Sequence, residues 1–246
     1  MTGPVCRRLL AEFTGTGLLV AVVVGSGIFA SRLTADPALR LLINSLVTAL
    51  GLAVLILVFI PANGAQFNPV VTVVDWVLRR RSSHGYGLGV AAAVILCQVA
   101  GAIGGSALAD TMFGAPVLRV SAHHRGGTPV LVAEVVATAG LLLVIVALAR
   151  TDRMQHVAWA VGGWIGAAYW FTSSTSFANP AVTIGRSLTD TYAGIAPVSV
   201  PAFIAAQIIG GTIGAALAVV LYPLRADGRA AEAQLAALVT EGAEDG

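Results

Sequence analysis

Six long apolar stretches, near residues 9–30, 39–60, 88–109, 128–149, 155–172 and 197–222, constrain this chain more than any other feature. Each approaches the roughly 20 residues that a helix needs to cross hydrocarbon. Lipid offers no hydrogen-bond partners, so a backbone inside it must satisfy its own N–H and C=O groups, as a helix does. Only 11% of the residues are charged, against about 25% in an ordinary soluble domain, and they gather in the gaps between the stretches. The expectation is an all-α membrane protein with six spans, in contact with the lipid bilayer.

The 14 cationic side chains are all arginine. With six spans, Arg7, Arg8, Arg79, Arg80, Arg81, Arg150, Arg153, Arg225 and Arg229 fall on one side. Arg32, Arg40, Arg119, Arg125 and Arg186 fall on the other. Arginine-rich loops stay in the cytoplasm, which places both termini there and the chain in the cell (inner) membrane. The formal charge of +2 gives no reason to expect a nucleic-acid partner. Cys6 and Cys97 are too few for a disulfide framework. The first apolar run is long enough to span and more spans follow, so it reads as a helix rather than a cleaved leader. Residues 1–222 read as one domain, and 223–246, rich in Ala, Glu and Asp, as a cytoplasmic tail, either a frayed amphipathic helix or disordered.

The chain repeats itself in two halves, about 9–109 and 128–222. CQVAGAIGGSALA from Cys97 aligns with AQIIGGTIGAALA from Ala206, FNPVVTVVD from Phe67 with ANPAVTIGR from Ala178, and AEFTGT from Ala11 with AEVVAT from Ala133. Each half has an odd number of spans, so the second enters the membrane upside down relative to the first, an inverted repeat. Gly101, Gly104, Gly105, Gly210, Gly211 and Gly214 are expected to let helix backbones approach closely.

Asn68-Pro69 and Asn179-Pro180 stand at matching places in the halves. Asn is a favoured N-cap, and Pro at the first helical position loses no hydrogen bond, so each motif starts a helix sharply. Both helices are too short to cross. They read as re-entrant half-helices that enter from opposite faces and meet near the midplane, beside a cavity. Their N-termini direct partial positive charge at that point, and the Asn amides can donate to a passing solute. Water or a neutral hydroxylated molecule gains hydrogen bonds there, while a cation meets a barrier.

NGAQFNPVVT resembles the first signature of the aquaporin, or major intrinsic protein, superfamily, usually written SGAHxNPAVT, and SFANPAVT resembles the second. The likeness runs from about Glu12 to Tyr222. It implies six transmembrane helices plus two half-helices, one pore per subunit and a homotetramer. Pro69 and Val70, Pro180 and Ala181 complete the constriction motifs. Glu12 and Glu134 match buried glutamates that brace the re-entrant loops in that family.

The departures from the family pattern concern the selectivity filter. Val182 stands just after the second motif, where most members carry an arginine, Val70 replaces an alanine, and Gln66 a common histidine. Counting back from the motif gives Ser176 and Ala167 as further filter positions, with Thr48 or Leu50 from the second helix. That ring would carry neither charge nor aromatic rings, which implies a wide, permissive filter. Arg186, one turn beyond Val182, is expected to pair with Asp190, the alternative being a charged rim at the outer mouth. Val182 and the following ArgSerLeuThrAspThr resemble bacterial aquaporins encoded with arsenic-resistance genes.

A passive channel for small uncharged solutes is therefore expected, with arsenite and methylated arsenicals foremost and glycerol and water besides. A water-selective pore and a proton-coupled transporter using a buried Glu are the alternatives. No metal cluster, nucleophile motif or phosphate loop stands out, so neither an enzyme nor a cofactor is expected. His123 and His124 read as solvated loop residues.

Overall fold

The computed structural model describes residues 3–62, 65–80 and 85–223. Arg81, Arg225, Arg229 and the sequence-assigned tail beyond Pro223 lie outside them. The described residues form eight α-helices: α1 (Gly3–Leu33), α2 (Pro37–Phe59), α3 (Pro69–Arg79), α4 (Leu88–Met112), α5 (Thr128–Arg150), α6 (Val157–Phe171), α7 (Pro180–Arg186) and α8 (Val200–Leu221). Helices α1, α2, α4, α5 and α8 are each long and apolar enough to cross a membrane. Helix α6 has 15 residues and is lengthened by the 3₁₀ turn Met154–His156.

Local chemistry sets several of the starts. Asp36 caps α2 through its side chain, which accepts from Leu39 N at 2.9 Å, with Pro37 first in the helix. Asn68 and Asn179 cap the short helices α3 and α7 in the same way, each followed by Pro.

The halves α1–α4 and α5–α8 repeat one packing scheme. Helix α1 packs chiefly on α4 and α5 on α8, while α2 meets α6 across the halves. Glycine makes the close approaches possible. A Cβ on Gly105 would overlap the Gly17 carbonyl in α1, and one on Gly214 would overlap the Ala139 carbonyl in α5. Lipid gives helices no hydrophobic reason to associate, so backbone-to-backbone contact of this kind carries much of the packing. The surface presents Leu10, Phe29, Val58, Leu96, Ile208 and Val220 outward, an apolar face that suits hydrocarbon and would be untenable in water.

Candidate functional site

The two Asn-Pro motifs meet inside the bundle. Asn68 Nδ2 donates to the Ala178 carbonyl at 2.7 Å, and Asn179 Nδ2 donates to the Phe67 carbonyl at 2.7 Å. Each Asn Oδ1 stays within its own half-helix, accepting from Val70 N at 3.0 Å and from Ala181 N at 3.0 Å. An amide nitrogen has two hydrogens, so each Asn spends one on the opposite loop and keeps one for the cavity that both residues line.

The segments before the motifs are held in an unusual backbone conformation. Ala65, Phe67, Ser176 and Ala178 have positive φ, between 43 and 52°. For non-glycine residues this costs roughly 1–2 kcal/mol each. Two buried carboxylates hold it in place. Glu12 accepts from Gln66 N at 2.9 Å and Phe67 N at 2.8 Å, and Glu134 accepts from Phe177 N and Ala178 N, both at 2.9 Å.

A third layer repeats as well. Gln98 donates to Glu12 at 2.8 Å and to Thr72 at 2.9 Å, and Gln207 to Glu134 at 2.6 Å and Thr183 at 2.9 Å. The glutamines appear in the sequence as landmarks of the repeat, and the structure gives them a task. Glu12 and Glu134 are almost wholly buried and neither lines the cavity.

Val70 and Gly211 account for the altered first motif. A Cβ on Gly211 would run into Val70 Cγ1, so the larger side chain occupies the space glycine leaves. In the other half the matching positions hold Ala181 and Ala102.

The cavity runs the length of the molecule between these motifs. Its apolar wall includes stripes at helical spacing: Leu52 and Ile56 after Thr48 from α2, continued by Ile60 in the 3₁₀ turn that follows, and Val157, Val161 and Ile165 before Tyr169 from α6. At one end stand Arg8, Gln66, Asp75, Arg79 and Tyr86. At the other stand Thr48, Tyr169, Ser176, Phe177, Val182 and Arg186.

One expected filter position moves, and the choice between Thr48 and Leu50 is decided. Thr48 lines the cavity and Leu50 does not, being 52% exposed on the outer surface of α2. Ala167 is exposed on α6, and Tyr169 takes the lumen position, its hydroxyl 3.3 Å from Thr48 Oγ1. Ser176 and Val182 line the cavity as counted. The expectation of a ring without aromatics or charge is overturned by Tyr169, Phe177 and Arg186.

The pairing of Arg186 with Asp190 does not form. Asp190 instead faces Arg119 at 3.5 Å and His123 at 3.9 Å, and accepts from Ala122 N at 2.9 Å. Arg186 gives its Nε to the Ala193 carbonyl and lies over the Phe177 ring, Cζ 3.4 Å from the centroid.

The Asp75 end is a polar network. Asp75 pairs with Arg79 at 2.6 Å and accepts from Gln66 at 2.9 Å and Tyr86 at 3.0 Å. Arg8 donates to Gln66 at 3.2 Å and stacks on the Tyr86 ring. Burial first, then neighbouring Asp75, pushes the Tyr86 phenol above its usual range, so it remains a neutral donor. At the other end Arg125 holds the outer loop through the Gly194 and Tyr192 carbonyls, at 2.8 and 3.1 Å. Burial lowers its guanidinium pKa. Among the described residues, no group of three or more metal-ligating side chains occurs.

A sequence profile described as Major intrinsic protein matches residues 2–156 and 149–244. The chain belongs to the major intrinsic protein family. This member is 47% identical over 211 residues to "Aquaglyceroporin AqpS" of Rhizobium meliloti (strain 1021), covering 86% of this chain and 88% of that protein. Over a shorter stretch of 67 residues it is 40% identical to "Aquaporin C" of Dictyostelium discoideum, 27% of this chain and 24% of that one. Its fold matches the X-ray structure of the aquaglyceroporin from Plasmodium falciparum with a TM-score of 0.64 at 18% identity, covering 86% of this chain and 94% of that one. The protein is a multi-pass membrane channel of the aquaglyceroporin type for small solutes, and not an enzyme.

Proposed function

We propose that this channel carries small uncharged hydroxylated solutes passively, arsenite and methylated arsenicals foremost, with glycerol and water besides. The observation that carries the reading is Val182. An isopropyl group lines the cavity directly after the second motif, where the family pattern usually has an arginine. At that position the isopropyl group leaves width that a guanidinium would take up, and Arg186 stands one helical turn farther along. In the same cavity wall, Asn68 and Asn179 each keep an amide hydrogen to offer a solute in place of water. As(OH)₃ is neutral and presents hydroxyls much as glycerol does. The 47% identity to a protein named an aquaglyceroporin supports the solute class.

We infer one channel domain over residues 1–222, both termini in the cytoplasm, residence in the inner membrane and a homotetramer with one pore per subunit. Proton coupling through Glu12 or Glu134 is disfavoured, because both carboxylates are occupied by backbone N–H groups away from the lumen.

Stopped-flow light scattering on proteoliposomes tests the reading. Glycerol and arsenite should enter without a pH gradient, and methylated arsenicals should follow. Fast water flow with every larger solute excluded would refute it, as would uptake that stops when a pH gradient is removed.

A further inference from the structure

We propose that Arg186 is the cation this channel uses at its filter, one helical turn beyond Val182, and that with the Ser176 hydroxyl it forms a station that binds an acceptor oxygen of a passing neutral solute and turns back cations. The proposal rests on the pore described above and not on which neutral solute that pore carries.

Arg186 is the last residue of α7, lines the cavity and is only 2% exposed. Asp75 pairs with Arg79 and Asp190 with Arg119 and His123, and among the described residues no carboxylate forms an ion pair with Arg186. A buried cation without a counter-charge is costly to keep. A guanidinium has five N–H donors; the Ala193 carbonyl takes one, and Phe177 covers a face of the group without using a donor. These two contacts fix its orientation in the cavity wall and leave its other N–H groups uncommitted to either of them.

Ser176 supplies the second, independent observation. Ser176 lines the same cavity, and its hydroxyl is buried and has no hydrogen-bond partner. Buried hydroxyls are rarely left unpaired, so an unpaired one in the wall of a pore points to a partner that comes and goes. Neighbouring polar groups are already committed. Tyr169 and Thr48 face each other, and Arg125, which also lies over Phe177, gives its donors to loop carbonyls and does not line the cavity.

The ligand that fits is a small neutral molecule with two oxygens close together, one accepting from Arg186 and one bonding Ser176, as in a polyol or an undissociated oxyacid. The fixed positive charge repels cations in a low-dielectric wall. The matching position in the first half, Asp75, gives no offsetting charge, because Arg79 pairs with it.

The test uses the full chain in proteoliposomes, with sodium and proton leak read by ion-sensitive dyes and water flux reporting an assembled pore. Wild type should be tight to both cations. Arg186→Gln should raise cation leak at least about tenfold, and Arg186→Lys, which keeps the charge, should restore tightness while slowing glycerol. Ser176→Asp places a counter-charge in the ring with Arg186 retained, and Asp tolerates the positive φ of 52° there better than most residues; it should also leak. Should Arg186→Gln lose water flux through loss of the Ala193 contact, Ser176→Asp decides alone. Water-conducting variants with no added leak would overturn the proposal, and so would a wild type that itself passes sodium. A wild type tight to cations that also excludes glycerol would instead refute the solute reading and leave this one standing.

Discussion

The two re-entrant segments share a scaffold and differ in what they present to solute. In both, a glutamate holds two backbone N–H groups, a glutamine ties that glutamate to a threonine, and the Asn amide reaches across to the other loop. Outside this skeleton the halves part. The first ends in a hydrogen-bonded, charge-paired cluster of Arg8, Gln66, Asp75, Arg79 and Tyr86. The second ends in Phe177, an unpaired Ser176 hydroxyl and an unneutralised Arg186. Symmetry marks what the fold requires, and its loss falls where the proposed selectivity of the pore is placed.

Breaking the shared scaffold should cost most. Glu12→Ala or Glu134→Ala leaves two backbone N–H groups and a glutamine amide without their acceptor, at roughly 1–3 kcal/mol for each buried donor. Neither variant should yield a monodisperse channel in detergent, and the two should fail to a similar degree. A folded, thermally unchanged Glu134→Ala beside a collapsed Glu12→Ala would break the equivalence of the halves.

The packing under the motifs separates the halves at a lower cost. Gly211→Ala drives a methyl into Val70 and should destabilise by about 1–3 kcal/mol, with Val70→Ala in the same chain restoring most of the loss. Thermal melting of the purified protein reads both. A single Gly211→Ala that melts like wild type would remove the explanation given for Val70.

Selectivity should respond in the second half. Val182→Arg is expected to slow methylated arsenicals about tenfold more than water, on the order of 1.4 kcal/mol in barrier. Equal loss of both fluxes, measured by stopped flow, would count against Val182 as the residue that sets pore size.

The smallest effect is expected from Asp75→Asn, which keeps the shape of the first-half cluster. Solute flux should change by about fivefold or less, because surface-accessible ion pairs contribute only about 1 kcal/mol or less. The Tyr86 phenol should ionise at lower pH once the neighbouring charge is gone, yet still above its usual range, since burial is the larger cause. An ultraviolet pH titration of the phenol against wild type checks this.

Most of the architecture was legible in the sequence by itself. Apolar length, the Asn-Pro caps and the repeated Glu, Asn-Pro and Gln landmarks are local or translational patterns, and they determine the helices, the half-helices and the inverted repeat. What only the tertiary structure decided is which face of each helix looks inward. Of the two candidates in α2, Thr48 takes the inner place and Leu50 lies on the surface, while Ala167, expected in the lumen, lies on the surface and Tyr169 takes the inner place. The four-residue stripe through Val157, Val161, Ile165 and Tyr169 was present in the chain, but lipid and an apolar pore wall both accept such residues, so the sequence carries no contrast to fix its phase. Arg186 and Asp190 have the spacing of a helical pair, yet α7 stops at Arg186. Beyond that point four residues no longer mean one turn, and the folded loop sends Asp190 to Arg119 and leaves Arg186 facing the pore.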